Sequence, residues 1–150
     1  MSELSPRKAS LHLEMLVCTM AARRLVKSRG IEPTLRQLAR RPSGPLRRGS
    51  RQVTPIAGGD AMRAARRVHR ILGRGTCLEE SAALAAVLSR HGAEPELVVG
   101  CRRQPDGSWG AHAWVVSGGA AFDLVPSGAH TALSRYRLAS GWRAEALTEG

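Results

Sequence analysis

Residues 76–92 read TCLEESAALAAVLSRHG, and the reading of this stretch decides the fold. Thr76 and Glu79 have the spacing of a capping box, in which a hydroxyl and a carboxylate each satisfy a free amide at a helix start. From Ala82 to Leu88 every residue is apolar and most are strong helix formers, which predicts a largely buried helix. Arg90, His91 and Gly92 supply its stop. Cys77 thus falls at the first helical position, where the helix dipole and unpaired amides favour negative charge. A thiolate nucleophile and the oxyanion of an attacked carbonyl both need such a place. A lone cysteine is more often a small buried hydrophobe, so the case for chemistry must come from elsewhere in the chain.

Downstream of Pro95 the period changes from helical to strand-like. Leu97 to Cys101 reads as a buried strand, Pro105 to Ser108 as a turn, and Ala111 to Val116 as a second strand. Ser117 to Ala120 is a second turn and Ala121 to Val125 a third strand; the tail through Tyr136 and Trp142 has no clear period. On the second strand His112, Trp114 and Val116 share a face. If Gly118-Gly119 is a two-residue hairpin turn, Trp114 lies opposite Asp123 and His112 opposite Val125. Asp123 is then diagonal to His112 on the same face, about 7–8 Å away at the backbone, a gap these side chains can span. A four-residue turn keeps that parity, whereas a three-residue turn moves Asp123 to the other face. An aspartate so placed would hold the imidazole in one tautomer and leave its other nitrogen for the thiol proton. Taken singly, His112 reads equally well as a satisfied histidine between apolar strands, and Asp123 as a solvent-facing acid. Cysteine at a helix start, histidine on a strand and aspartate on the next strand are together much harder to obtain by accident.

Upstream, a first helix is predicted from Lys8 to Ser28, with Leu13, Leu16, Val17 and Met20 on one face, and Gly30 ends it. A short helix opens at Pro33 and runs to about Arg40, and the proline- and arginine-rich segment Arg41 to Thr54 reads as a loop. A third helix follows the cap candidate Asp60, with Ala61, Ala64, Ala65, Val68 and Leu72 on its apolar stripe. Arg63, Arg66, Arg67 and Arg70 lie outside that stripe. The expected class is α+β, helices followed by a small antiparallel sheet. The 150 residues suit one domain: a basic, mainly helical region over 1–57 and the segment bearing the candidate site over 58–150. With 43% hydrophobic but only 3% aromatic residues, the core must be built mainly from Leu, Val, Ile and Ala.

Charge divides the chain. Residues 1–76 carry 17 of the 23 Lys and Arg against 4 acids, a local charge of +13, while residues 77–150 are close to neutral. The basic half suits an acidic partner, or simply keeps the protein soluble. Three widely spaced cysteines form no disulfide framework, and no signal peptide or membrane-spanning run is read, so the expected compartment is the cytoplasm. Cys18 and Cys101 sit among apolar neighbours and are expected to be core thiols.

From Ala64 to Val125 the chain resembles the transglutaminase-like leader peptidases of lasso-peptide biosynthesis. The resemblance is carried by Ala65-Arg66-Arg67-Val68, Thr76-Cys77-Leu78, Arg90-His91-Gly92 and Leu97-Val98-Val99-Gly100. Ala111-His112-Ala113-Trp114-Val115 and then Asp123 follow in the family's order. It implies a papain- or transglutaminase-like fold, and a thiol peptidase that cuts the leader from a ribosomally made precursor so that a separate cyclase can close the macrolactam. The family's cysteine, histidine and aspartate fall on Cys77, His112 and Asp123, and no cofactor or metal is implied. No small β-rich recognition module precedes the candidate site, so the likeness is to the stand-alone peptidase of the split form. The implied partners are the leader peptide, a leader-recognition protein and, further off, the cyclase. Leu78-Glu79-Glu80 departs from the family, where Pro or Arg is more usual near the third position.

Three rival readings stand beside this one. The basic half would suit a non-catalytic nucleic-acid binder or adaptor, but one tyrosine and one phenylalanine offer little for base stacking, so nucleic acid is disfavoured. A metal site from Cys77, Cys101, His112 and His130 matches no common zinc spacing. Glutamine cross-linking would use the same three residues as proteolysis.

Overall fold

Helix α4 (Cys77–Arg90) is the axis of the computed structural model, which describes residues 6–40, 55–124 and 129–147. Every residue of α4 from Glu79 to Leu88 is buried. Four alanines on this helix let its neighbours approach closely. Around it pack α1 (Pro6–Arg29), α2 (Ile31–Ala39) and α3 (Gly58–Leu72), and the sheet covers the remaining side. The strands are β1 (Glu96–Arg103), β2 (Trp109–Ser117), β3 (Ala120–Phe122), β4 (Thr131–Arg137) and β5 (Ala144–Ala146). They form one antiparallel sheet in the order β3-β2-β1-β4-β5. The architecture is therefore α+β, helices first and sheet second, as the sequence predicts. The tail that has no clear period in sequence supplies β4, a short 3-10 helix (Leu138–Ser140) and β5.

One continuous core runs from Leu11 to Trp142. Trp142 is fully buried despite a left-handed backbone (φ 62°), and its amide donates to the Arg137 carbonyl at 2.8 Å. Helix α2 is tied to the same tail: Arg36 Nε donates to the Gly141 carbonyl at 2.8 Å, and the Ala144 amide donates to Glu32 Oε1 at 2.9 Å. Glu14 links α1 to the end of α4, accepting from Arg90 Nη1 at 3.4 Å and meeting His91 Nε2 at 2.8 Å.

Two helix expectations are corrected. On α1 the buried face is Leu11, Met15, Cys18 and Ala22, whereas Leu13, Val17 and Met20 are 62%, 56% and 56% exposed. This helix is apolar on more than one side, and periodicity alone cannot say which stripe faces inward. The stripe carrying Met15, Cys18, Thr19 and Ala22 is the one the fold turns inward. On α3, Asp60 lies within the first turn and pairs with Arg63 at 2.5 Å; the cap position is Ala57. The arginine-rich stretch read as a loop, Arg41 to Thr54, lies outside the described residues, as does Val125.

The face assignment on α1 has a direct test. Met15→Ala is expected to cost about 2–5 kcal/mol, as a buried methionine should. Met20→Ala should stay within about 0.5 kcal/mol of the parent. Chemical denaturation of the two variants measures both, and equal losses would mean the face is wrongly assigned.

Candidate active site

The site is assembled from the start of α4 and one hairpin of the sheet. At the helix start the predicted capping box is present: the Glu79 amide donates to Thr76 Oγ1 at 3.2 Å and the Thr76 amide to Glu79 Oε2 at 3.0 Å. The next residue, Glu80, is also buried, at 5% exposure. Its Oε1 accepts from the Gly75 amide at 3.1 Å, meets His69 Nδ1 of α3 at 2.5 Å and lies 3.8 Å from Arg23 Nη2 of α1. Arg23 also donates to the carbonyls of Leu72 and Gly73, at 3.2 and 2.6 Å. The turn leading into Cys77 is thus gripped from three helices. Gly75 leaves room for this grip, since a Cβ there would stand 2.8 Å from Arg23 Nε and 3.0 Å from Glu79 Oε2. Glu79 and Glu80 are the two α4 carboxylates that hold the turn, with Arg23.

On the sheet, Gly118 and Gly119 both take positive φ (58° and 77°), as a two-residue type I′ turn requires. The pairs Ser117–Ala120, Val116–Ala121 and Val115–Phe122 are those of the predicted register. One step beyond, Asp123 stands diagonal to His112, and its Oδ2 lies 2.6 Å from His112 Nε2. His112 is 7% exposed and Asp123 remains partly open to solvent. Phe122 anchors the strand end: its ring fills the space a side chain on Gly58 of α3 would need. Beyond Val115, where β3 ends, β2 meets α4 directly, and Ser81 Oγ donates to the Ala113 carbonyl at 3.0 Å. Ser81 lies one helical turn after Cys77, and Ala113 directly follows His112.

His112 and Asp123 are therefore in contact, and Cys77 opens the helix that seats on β2 through Ser81. The half-buried thiol makes no hydrogen bond among the described residues. Thiol and imidazole in unliganded sites often draw together only when substrate binds. With Nε2 facing Asp123, Nδ1 is the ring nitrogen left for a proton-transfer partner.

No motif in the sequence marks His130 as a neighbour of His112. Its ring centroid lies 4.8 Å from that of His112, and Trp114 lies 6.0 Å away on another side. Both walls rely on Gly100, paired with His112 across β1 and β2. A Cβ at Gly100 would fall 2.8 Å from the Trp114 ring and 2.5 Å from the Thr131 carbonyl. Cys101, next along β1, alternates to the other side of the strand from Gly100, and among the described residues no group of three or more metal-ligating side chains forms. Cys18 is buried in α1, and burial pushes its thiol up to about 11, a rise that neighbouring Arg90 only partly offsets.

Two measurements follow from this geometry. Gly100→Ala should cost about 1–3 kcal/mol through overpacking and change the near-ultraviolet signal of Trp114. An unchanged melting curve and spectrum would show that the strand yields without cost. Brief alkylation at neutral pH should label Cys77 and leave Cys18 untouched until the chain is unfolded, read by peptide mass mapping. Early labelling of Cys18 would contradict its burial.

A model of the transglutaminase-like superfamily matches residues 15–140, a span that takes in most of α1, all of α2, α3 and α4, Cys77, His112, Asp123 and the sheet through β4. No curated protein and no solved structure matches the chain. Helices first, a cysteine at the start of the buried one and an antiparallel sheet after it agree with that match. The chain belongs to the transglutaminase-like superfamily.

Proposed function

We propose that this chain is a cysteine peptidase that removes the leader from a ribosomally made lasso precursor peptide. The observation that carries the reading is the 2.6 Å contact between His112 and Asp123 beside the helix that starts at Cys77. The superfamily includes cysteine peptidases; the choice of a lasso precursor rests on the sequence resemblance described above.

In the proposed mechanism His112 Nδ1 takes the Cys77 thiol proton, and the thiolate attacks the last carbonyl of the leader. Asp123 holds the ring and stabilises the imidazolium that forms. As the tetrahedral oxyanion collapses, the C–N bond breaks and the His112 proton leaves with the core peptide's amine. A water then gives a proton to His112 and attacks the thioester; the C–S bond breaks, the leader departs as the acid, and His112 returns its proton to the Cys77 sulfur. The Cys77 amide, unpaired at the helix start, is the proposed oxyanion donor. No cofactor or metal enters these steps. Trp114 and His130 would wall the imidazole on two sides. Among the described residues no helix is long and apolar enough to cross a membrane. We place the reaction in the cytoplasm, with a separate leader-recognition protein and, beyond it, the cyclase as partners.

Cleavage of the neighbouring precursor, followed by mass spectrometry with and without the recognition protein, tests the reading. A single cut at the leader–core junction is expected, reduced at least about 10³-fold in Cys77→Ala and about 10²–10⁴-fold in Asp123→Ala. Folded protein that cuts in no mixture would refute the peptidase. The same acyl-enzyme could pass to an amine, so a cross-link to an added primary amine, in place of a hydrolysed leader, would assign a transferase instead.

A further inference from the structure

Helices α1 and α3 carry an apolar stripe and a cationic ridge side by side, neither of which the candidate site uses. Leu13, Val17 and Met20 follow one another at helical spacing on α1 and are all more than half exposed, and Ile71 on α3 is 70% exposed. Between the helices runs a groove of about 340 Å³ lined by Leu13, Leu16, Val68 and Ile71, together with His12 and Arg67. His12 and Arg67 also line an adjoining groove of about 410 Å³, where Arg63, Arg66 and Arg70 stand exposed along α3. Asp60 pairs with Arg63, whereas Arg66, Arg67 and Arg70 make no ion pair among the described residues. Exposed apolar surface of this kind is rare on a protein face that has no partner.

We propose that this α1–α3 face docks an acidic, amphipathic polypeptide segment. Such a segment would lay leucine-like side chains on Leu13, Val17, Met20 and Ile71 and set its carboxylates against the α3 arginines. The two features select the occupant together. Nucleic acid would meet the arginines but gain nothing from an aliphatic stripe lacking aromatic rings. A second copy of the chain would bring two arginine ridges together. A lipid surface would meet the outer stripe but leave the groove between the two helices unfilled. The inference does not rest on the peptidase reading.

The test uses the full chain and two labelled synthetic peptides of about 18 residues, long enough for several helical turns. One has leucines at helical spacing among glutamates; the other has the same composition in scrambled order. Fluorescence anisotropy should show the patterned peptide binding about tenfold or more tightly than the scrambled one. Val17→Ser with Met20→Ser, and separately Arg66→Gln with Arg67→Gln, should each weaken that binding about tenfold. Both pairs are exposed, so circular dichroism and melting should match the parent. Equal binding of the two peptides, binding of neither, or indifference to the Val17/Met20 change would overturn the proposal. So would displacement by a single-stranded oligonucleotide at equal concentration, which would assign the face to phosphate. Capture by anionic lipid vesicles, or a dimer in sedimentation, that the Val17/Met20 change abolishes would assign it to a membrane or to a second copy.

Discussion

A buried carboxylate ties the entry of the central helix to two other helices. Glu80 is buried at the meeting point of α1, α3 and α4, where it accepts from the Gly75 amide and faces His69 and Arg23. Removing a charge from water is expensive, and attraction to cations repays the cost only if the geometry is held. Here that geometry is the tertiary fold itself, because the two basic side chains come from different helices. With the turn from Gly73 to Thr76 fixed, the thiol of Cys77 has a defined place relative to the sheet. Loosening the carboxylate would cost stability and let the position of the Cys77 thiol drift at once.

The sheet contributes the other half by parity. Two glycines in left-handed conformation close the hairpin, and every pair behind them follows. A turn one residue longer would leave the composition and hydrophobicity nearly unchanged and still separate Asp123 from His112. The two halves meet at Ser81 and Ala113, where a helix hydroxyl reaches the strand backbone just past the imidazole. The Glu80 cluster sets the thiol and the glycine turn sets the acid–base pair, while one side chain–backbone bond marks the contact between layers.

Features with strong local chemistry were legible in the sequence. The capping box of Thr76 and Glu79 and the Gly118-Gly119 register depend on neighbours in the chain, and the structure has both. The order of helices before sheet was equally readable, because the hydrophobic period changes at Pro95. What failed depends on tertiary choice. Leu13, Val17 and Met20 have as good a helical spacing as Leu11, Met15 and Cys18, and only the tertiary packing of α1 decides between them. The ring contact of His130 with His112 arises because β4 pairs with β1 from the side opposite β2. No spacing in the sequence encodes that crossover. Glu80 looked like a departure from a family pattern, since its partners Arg23 and His69 lie 57 and 11 positions away.

Trp142 has a consequence for how the chain comes off the ribosome. It is fully buried in the same core as Leu84 and Leu88 of α4, yet more than fifty residues separate it from that helix. Synthesis delivers the helices first, so their alanine- and leucine-rich interior waits uncovered while the sheet is still being made. At translation rates of roughly 5–20 residues per second that exposure lasts a few seconds, long enough for a chaperone or a neighbouring nascent chain to engage it. Cys77 is made early, but its surroundings are complete only when the last strands close over the helix. A half-made chain would then carry the Cys77 thiol before His112 and Asp123 exist, so the timing of synthesis keeps the three residues apart until the sheet is made.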